Sequence, residues 1–212
     1  MATAGDLLKI AAGEIGVKES PAGSNRVKYN TAYYGREVLG SAYPWCAVFV
    51  WWCCRQAGVG LPQKTASCTA LKSAAVKAGM WVSSGFLPGD IVIYDWTGDG
   101  TMDHCGIVES VAGASVTAIE GNTAVGNDSN GGQVMRRVRS LSQISGAVRP
   151  QYKKEDINMD NTPSAAHKEN VEWAKENGIL LGNQAGDLKL HQATTREEMC
   201  TFLRRLYDLM RK

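Results

Sequence analysis

The sequence predicts an α+β protein: N-terminal helices packed on an antiparallel sheet, followed by a small helical C-terminal domain. Three observations lead there. Apolar residues recur at helical spacing as far as Gly79 and at strand spacing from Trp81 onward. Residues 1–150 hold 20 of the 23 glycines, which suits strands joined by tight turns, against three in residues 151–212. Those last 62 residues instead carry 20 charged side chains, the composition of a helical module. The intervening Pro150 to Asp156 is polar, opens on proline and lacks an apolar period, so the division reads 1–149, a linker at 150–162, and a module at 163–212.

The elements follow in order. Leu7, Leu8, Ile10, Ala11 and Ile15 give an amphipathic helix that stops at Gly16. A loop rich in turn residues runs from Ser20 to Asn30, and Tyr29, Tyr33 and Tyr34 gather aromatic surface whose simplest use is packing over the rim of the core. After Pro44 the run from Trp45 to Cys54 is apolar on all sides and closes at Ala57-Gly58, so it is the buried central helix with glycine at C′. Ala70 to Ala78, ended by Gly79, makes another short helix. Strands then cover Asp90 to Tyr94, His104 to Val111, Ser115 to Gly121, Gln133 to Arg139 and Gly146 to Arg149. Near the C-terminus Met199, Phe202, Leu203, Leu206 and Met210 form an apolar stripe, and a capping box of Thr194 with Glu197 or Thr195 with Glu198 opens that helix.

Composition excludes several functions. With 44% apolar and 21% charged residues and a net charge of +2, the chain is that of an ordinary globular protein. It has no basic stripe for nucleic acid; Arg136, Arg137 and Arg139 read as a solvated strand face. The apolar run from Tyr43 ends at Arg55, too short for a membrane span. The start, Met1 to Asp6, lacks the basic and apolar regions of a secretion signal, so the expectation is synthesis in the cytoplasm. In that reducing compartment six cysteines without a Cys-x-x-Cys pair need not bridge, and most read as small buried hydrophobes.

Cys46 is the exception. It opens the central helix, where unpaired N–H groups and the helix dipole favour thiolate, while Cys53 and Cys54 lie further along without that field. A base for it is His104, which begins a strand after the polar turn from Gly98 to Asp103; His167 and His191 lie in the charged tail. With Ala112-Gly113-Ala114 as a three-residue hairpin loop and Val111 opposite Ser115, His104 faces Asn122 and has Glu120 on the adjacent diagonal. Gly106, Val108, Val116 and Ala118 share that face, small enough for a helix to pack there. A thiol at a helix tip, a strand histidine and two polar orienting groups make a papain-like arrangement.

These residues resemble a known family. Tyr43-Pro44-Trp45-Cys46-Ala47-x-Phe49-Val50, Gly89-Asp90-Ile91-Val92, Asp103-His104-Cys105-Gly106-Ile107-Val108-Glu109 and Ile119-Glu120-Gly121-Asn122-Thr123 resemble the CHAP family of cysteine- and histidine-dependent amidohydrolases and peptidases. Gly23 to Tyr29 is similar to versions found in bacteriophage endolysins. The resemblance implies Cys46 as nucleophile, His104 as base and then acid, Glu120 as the group orienting it, and Asn122 as a further polar partner. Cys105 departs from the β-branched apolar residue usual after the histidine. Trp173-Ala174-x-x-Asn177-Gly178-Ile179 and Thr194-Thr195-Arg196-Glu197 are similar to one S-layer homology repeat, a module that holds proteins to cell-wall polymers.

The implied function is a peptidoglycan hydrolase that cuts an amide through a thioester, with N-acetylmuramoyl-L-alanine amidase activity placed ahead of endopeptidase activity. It would be made in the host bacterial cytoplasm and act at the wall after release. Residues 163–212 would bind secondary wall polymer or self-associate. A non-catalytic wall-binding protein and a cytosolic small-molecule amidase are the alternatives. No cofactor or metal is expected. Asp95, Thr97, Asp99 and Gly100 open like a calcium loop, but Gly106 stands where its bidentate glutamate is needed. The cysteine and histidine spacings likewise match no zinc pattern.

Overall fold

The computed structural model describes residues 2–127, 130–153, 162–182, 188–191 and 194–211. The chain divides into two compact units, Met1–Lys153 and Lys154–Lys212. Residues 150–153, expected in the linker, belong to the first: Tyr152 packs on its core and donates its hydroxyl to the Gly89 carbonyl at 2.6 Å. Most of the expected linker, 154–161, lies outside the described residues.

Four helices open the first unit. Helix α1 (Ala4–Gly13) starts at a capping box in which Thr3 and Asp6 satisfy each other's backbone N–H groups, and it buries Leu7 and Ala11, one turn apart. Helix α2 (Lys28–Tyr34) forms where the sequence suggests only clustered aromatics. Its Tyr29 is a core residue, in ring contact with Trp45, Phe49 and Trp52, and donates its hydroxyl to Glu14 at 2.6 Å. Helix α3 (Cys46–Ala57) is the expected buried helix and ends at Gly58 in the left-handed region, φ 73°. Helix α4 (Cys68–Lys77) is capped by Ser67, whose hydroxyl accepts from the Ala70 N–H.

Six strands follow: β1 (Trp81–Val82), β2 (Ile91–Tyr94), β3 (His104–Ala112), β4 (Ser115–Thr123), β5 (Gln133–Ser140) and β6 (Ile144–Val148). They form one antiparallel sheet in the order β1-β6-β2-β3-β4-β5. Side chains alternate across it and build two cores. Ile91, Ile93, Cys105, Ile107 and Ile119 face the helices. Val92, Tyr94, Val108, Val116 and Ala118 point the other way, under Phe86, Trp96 and Leu141. The helices therefore pack on the face opposite the one expected, because the larger Ile and Cys side chains supply more apolar surface than Gly106 and Ala118. Close approach comes from Gly121, where an added Cβ would stand 2.5 Å from the Cβ of Phe49.

The β3–β4 hairpin corrects a second expectation. Ala112 pairs with Ser115, so the loop has two residues, Gly113-Ala114, and not three. A two-residue loop alone would turn Glu120 to the face opposite His104. A β-bulge between Val108 and Ser110 inserts Glu109 and restores the parity, so that Val108 pairs with Ala118 and Ile107 with Ile119.

The second unit holds helix α5 (Lys168–Glu176) and helix α6 (Arg196–Met210). Of the two possible capping boxes, Thr195 with Glu198 forms. Phe202 and Leu206 are half-buried, whereas Met199, Leu203, Tyr207 and Met210 are exposed. Cys200 is exposed too, whereas the other five cysteines are buried, as expected for most of them. Among the described residues no helix is long and apolar enough to cross a membrane.

Candidate active site

The site forms where α3 begins and β3 and β4 run beneath it. Trp45 precedes the helix and is fixed by its indole N–H, which donates to Glu19 Oε1 at 2.7 Å. No side chain caps α3, although its first turn carries backbone N–H groups without intrahelical partners. Cys46 is the first helical residue and is 5% exposed.

Three thiols meet there. The sulfurs of Cys46, Cys68 and Cys105 lie within 4.8 Å of one another, with Cys46 and Cys68 at 3.7 Å. Hydrogen bonds from Cys105 and then Cys68, joined by the hydrogen bond and charge of His104, hold the Cys46 thiol well below its ordinary value against the opposing effect of burial. Its two neighbours stay protonated. The Cys105 thiol is pushed up by Cys46, Cys68 and burial. For Cys68 the Cys105 contact lowers the value, but Cys46 and burial outweigh it and leave it well above normal. The field that selects Cys46 thus includes Cys105, whose place after the histidine already set a second thiol near the site, and Cys68, which nothing in the sequence marks. Cys53 and Cys54 are core residues, with burial raising Cys54 to about 12.

His104 is fully buried. Its Nε2 bonds Glu120 Oε2 at 3.1 Å, and its Nδ1 is buried without a hydrogen bond of normal length among the described residues. Burial, the largest single influence, disfavours the imidazolium, but the Cys46 and Glu120 interactions together outweigh it and raise His104 to about 9. Tyr94 and Trp96 stack against it at ring-centroid distances of 6.0 and 6.3 Å. Glu120 fits beneath because residue 106 is glycine: a Cβ there would stand 2.7 Å from Glu120 Cγ.

Arg139 completes the buried chain. It is not part of a solvated arginine face but is 5% exposed, donating from Nε and Nη2 to Glu120 at 2.9 and 2.5 Å. Its guanidinium lies over Trp96, 5.1 Å from the ring centroid. Burial would raise the Glu120 carboxyl, but Arg139 and His104 prevail and keep it lowered and charged. Arg136, by contrast, is half exposed and pairs with Glu109.

Asn122 is buried beside these groups with φ 59°, at the point where the β4–β5 ladder shifts register, a conformation asparagine tolerates. Its Nδ2 donates to Asn130 Oδ1 at 3.4 Å, so the carboxylate on His104 comes from Glu120. The calcium-like segment is a turn: Asp95 accepts the N–H groups of Gly98 and Gly100, and Asp99 that of Thr101.

Residues 38–122 match the CHAP domain family, a span that contains Cys46, His104, Glu120 and Asn122 but not Arg139. No curated protein matches the sequence. Among solved structures, the crystal structure of Ly7917 is 21% identical over 70% of this chain and 62% of its own, with a TM-score of 0.43. Ly7917 with the hydrolyzing product of MDP gives 21% identity over 70% of this chain and 63% of that one, with a TM-score of 0.42. The wild-type endolysin LysIME-EF1 gives 13% identity over 88% and 89% of the two chains, with a TM-score of 0.49. The chain spans less than two thirds of Ly7917.

Proposed function

We propose that the chain is a cysteine-dependent peptidoglycan hydrolase that cuts an amide of the bacterial wall, with Cys46, His104 and Glu120 as its reacting and orienting groups. The observation that carries this is the continuous buried run Cys46–His104–Glu120–Arg139 within and beside a CHAP match. In the resting site the proton sits on His104 and the charge on Cys46, the two holding each other. The thiolate attacks the amide carbonyl, forming a C–S bond as the carbonyl electrons move to oxygen. Backbone N–H groups of the uncapped first turn of α3 stabilise that oxyanion.

His104 then gives its proton to the leaving nitrogen, the C–N bond breaks, and a thioester remains. Water, deprotonated by His104, attacks the thioester and expels the thiolate with the carboxylic acid product. Throughout, Glu120 keeps Nδ1 turned to the sulfur by occupying Nε2, and Arg139 keeps Glu120 ionised. Asn122 is a further polar partner that shapes the end of β4. We place N-acetylmuramoyl-L-alanine amidase activity ahead of endopeptidase activity, and residues 163–212 as the part that retains the enzyme on wall polymer.

Digestion of purified peptidoglycan followed by mass spectrometry of the new termini tests the reaction. Free L-alanine N-termini with intact glycan select the amidase, and new termini within the stem peptide or cross-bridge select the endopeptidase. Cys46→Ala should release no termini yet keep the wild-type circular dichroism spectrum, because alanine suits a helix and the thiol is small. Full activity in Cys46→Ala, or no new termini from the wild type, removes the proposal.

A further inference from the structure

Mechanism needs one thiolate, and the site holds three sulfurs. Cys46 comes from the start of α3, Cys68 from the start of α4 and Cys105 from β3, so three separate elements deliver them to one point. Tetrahedral coordination with metal–sulfur bonds of about 2.3 Å sets sulfurs about 3.8 Å apart. Cys46 and Cys68 already stand at 3.7 Å, and no pair exceeds 4.8 Å, so contraction of at most about 1 Å closes the set. The set consists of these three sulfurs, the histidine nitrogen falling outside it, so a water completes the tetrahedron. Cys46 and Cys68 keep a little exposure, at 5% each, which gives a cation a way in.

We infer that Cys46, Cys68 and Cys105 form a binding site for a thiophilic d10 cation of the zinc and cadmium class, and that the bound cation silences the nucleophile. From the thiolate–imidazolium state, a dication joins Cys46 directly; Cys68 and Cys105 each lose a proton to water as their metal–sulfur bonds form. His104 stays outside the metal's ligands and keeps its proton, so two protons leave for one cation. Three thiolates around the dication carry one negative charge, offset by the imidazolium, and nothing is oxidised or reduced. While the cation is held, the sulfur lone pair needed for attack is in a metal bond. Occupancy rises with pH because every ligand must be deprotonated. Binding rests on the cluster alone; silencing rests on the function proposed above.

The test uses the full chain carrying Cys200→Ser, since Cys200 is exposed and would bind cadmium on its own. The protein is reduced with a phosphine and titrated with Cd²⁺, following the ultraviolet thiolate-to-cadmium charge-transfer band. The expected result is saturation at one Cd²⁺ per chain, with an intensity equal to three thiolates, reversed by a chelator. Cys68→Ser and Cys105→Ser should each remove about a third of the band and weaken binding by more than about 100-fold, beyond the 10- to 100-fold that loss of an outer-sphere partner gives. The Zn²⁺ concentration for half-inhibition, taken relative to each variant's own rate, should rise by the same factor. Absence of a band saturating at one equivalent overturns the site even if neither variant folds. Unchanged cadmium affinity in folded Cys68→Ser and Cys105→Ser overturns it equally. Cadmium binding without any wall hydrolysis would sink the proposed function and leave the metal site standing; hydrolysis without the band would do the reverse.

Discussion

Arg139→Met isolates the least expected member of the site. Methionine keeps an unbranched side chain of similar length and removes the guanidinium that donates twice to Glu120. The carboxylate, fully buried, is then left with His104 as its hydrogen-bonding cation, where the wild type gives it two. Removing one partner of a buried ion pair costs about 3–5 kcal/mol. For a unit of this size 1 kcal/mol shifts Tm by about 2–4 °C, so the loss should be about 6–20 °C. Tryptophan fluorescence during urea unfolding reports on the right unit, because five of the six tryptophans lie in the first.

The pH dependence separates this account from simple loss of packing. The wild-type Glu120 carboxyl is lowered, so its contribution to stability is present above the ordinary carboxylate value and fades as pH falls through the lowered one. Without Arg139 the carboxyl rises and takes up a proton more readily, which relieves the stranded charge. The deficit should therefore be largest at neutral pH and shrink on acidification. Arg139→Lys should recover part of the stability, as a point charge without the planar fork. A cost below about 1 kcal/mol at pH 7, or a deficit that does not change with pH, would refute the assignment of Arg139 as the support for Glu120.

Four further outcomes are expected. With His104 raised to about 9 and Cys46 lowered, kcat/KM for wall hydrolysis should fall along an alkaline limb near 9. Stabilisation from His104 should be complete below its ordinary value of 6.5 and be lost as pH rises through about 9, which thermal melts across that range would show. Gly106→Ala places a Cβ 2.7 Å from Glu120 Cγ, so it should cost about 1–3 kcal/mol and lower kcat at least tenfold; a variant as stable and active as wild type would mean that Glu120 need not sit there. A chain ended after Lys153 should still hydrolyse soluble wall fragments but lose pull-down by intact walls, and unchanged pull-down would count against a retention role for residues 163–212.

The parts of the site that sequence made legible are those with a local signature. Cys46 is marked by an all-apolar run that must be a buried helix and by Gly58 at its end. His104 is marked by the polar turn before it and the period-two pattern after it. Cys105 was marked only by following the histidine where an apolar residue is usual, Cys68 lay ahead of the expected helix without a mark, and their meeting with Cys46 depends on how α3, α4 and β3 pack. Arg139 had a signal that local charge obscured. Three arginines in one strand suggest a wet face, yet β5 alternates, and Val138 is 70% exposed while Arg139 is buried. Arg139 pairs with Val116, whose face also holds Glu120, the one acidic residue of β4. A single inward carboxylate asks for a cation on the neighbouring strand, and period-two counting from Val116 would have named it.

The hairpin shows why a residue constellation is easier to read than the backbone that presents it. Loop length fixes register at the turn, so Gly113-Ala114 with Ala112 opposite Ser115 sets a parity that alone would separate Glu120 from His104. Glu109 reverses it by standing outside the ladder, and its carboxylate pairs with Arg136 of β5, across the intervening strand. One extra residue thus converts a tight two-residue turn at the far end into the pairing the site requires. Nothing in the alternation of apolar residues distinguishes a three-residue loop from a two-residue loop plus a bulge, since both bring Val108 opposite Ala118. The chemistry depends only on the net parity between His104 and Glu120, and parity is what the apolar pattern on the buried faces of β3 and β4 specifies.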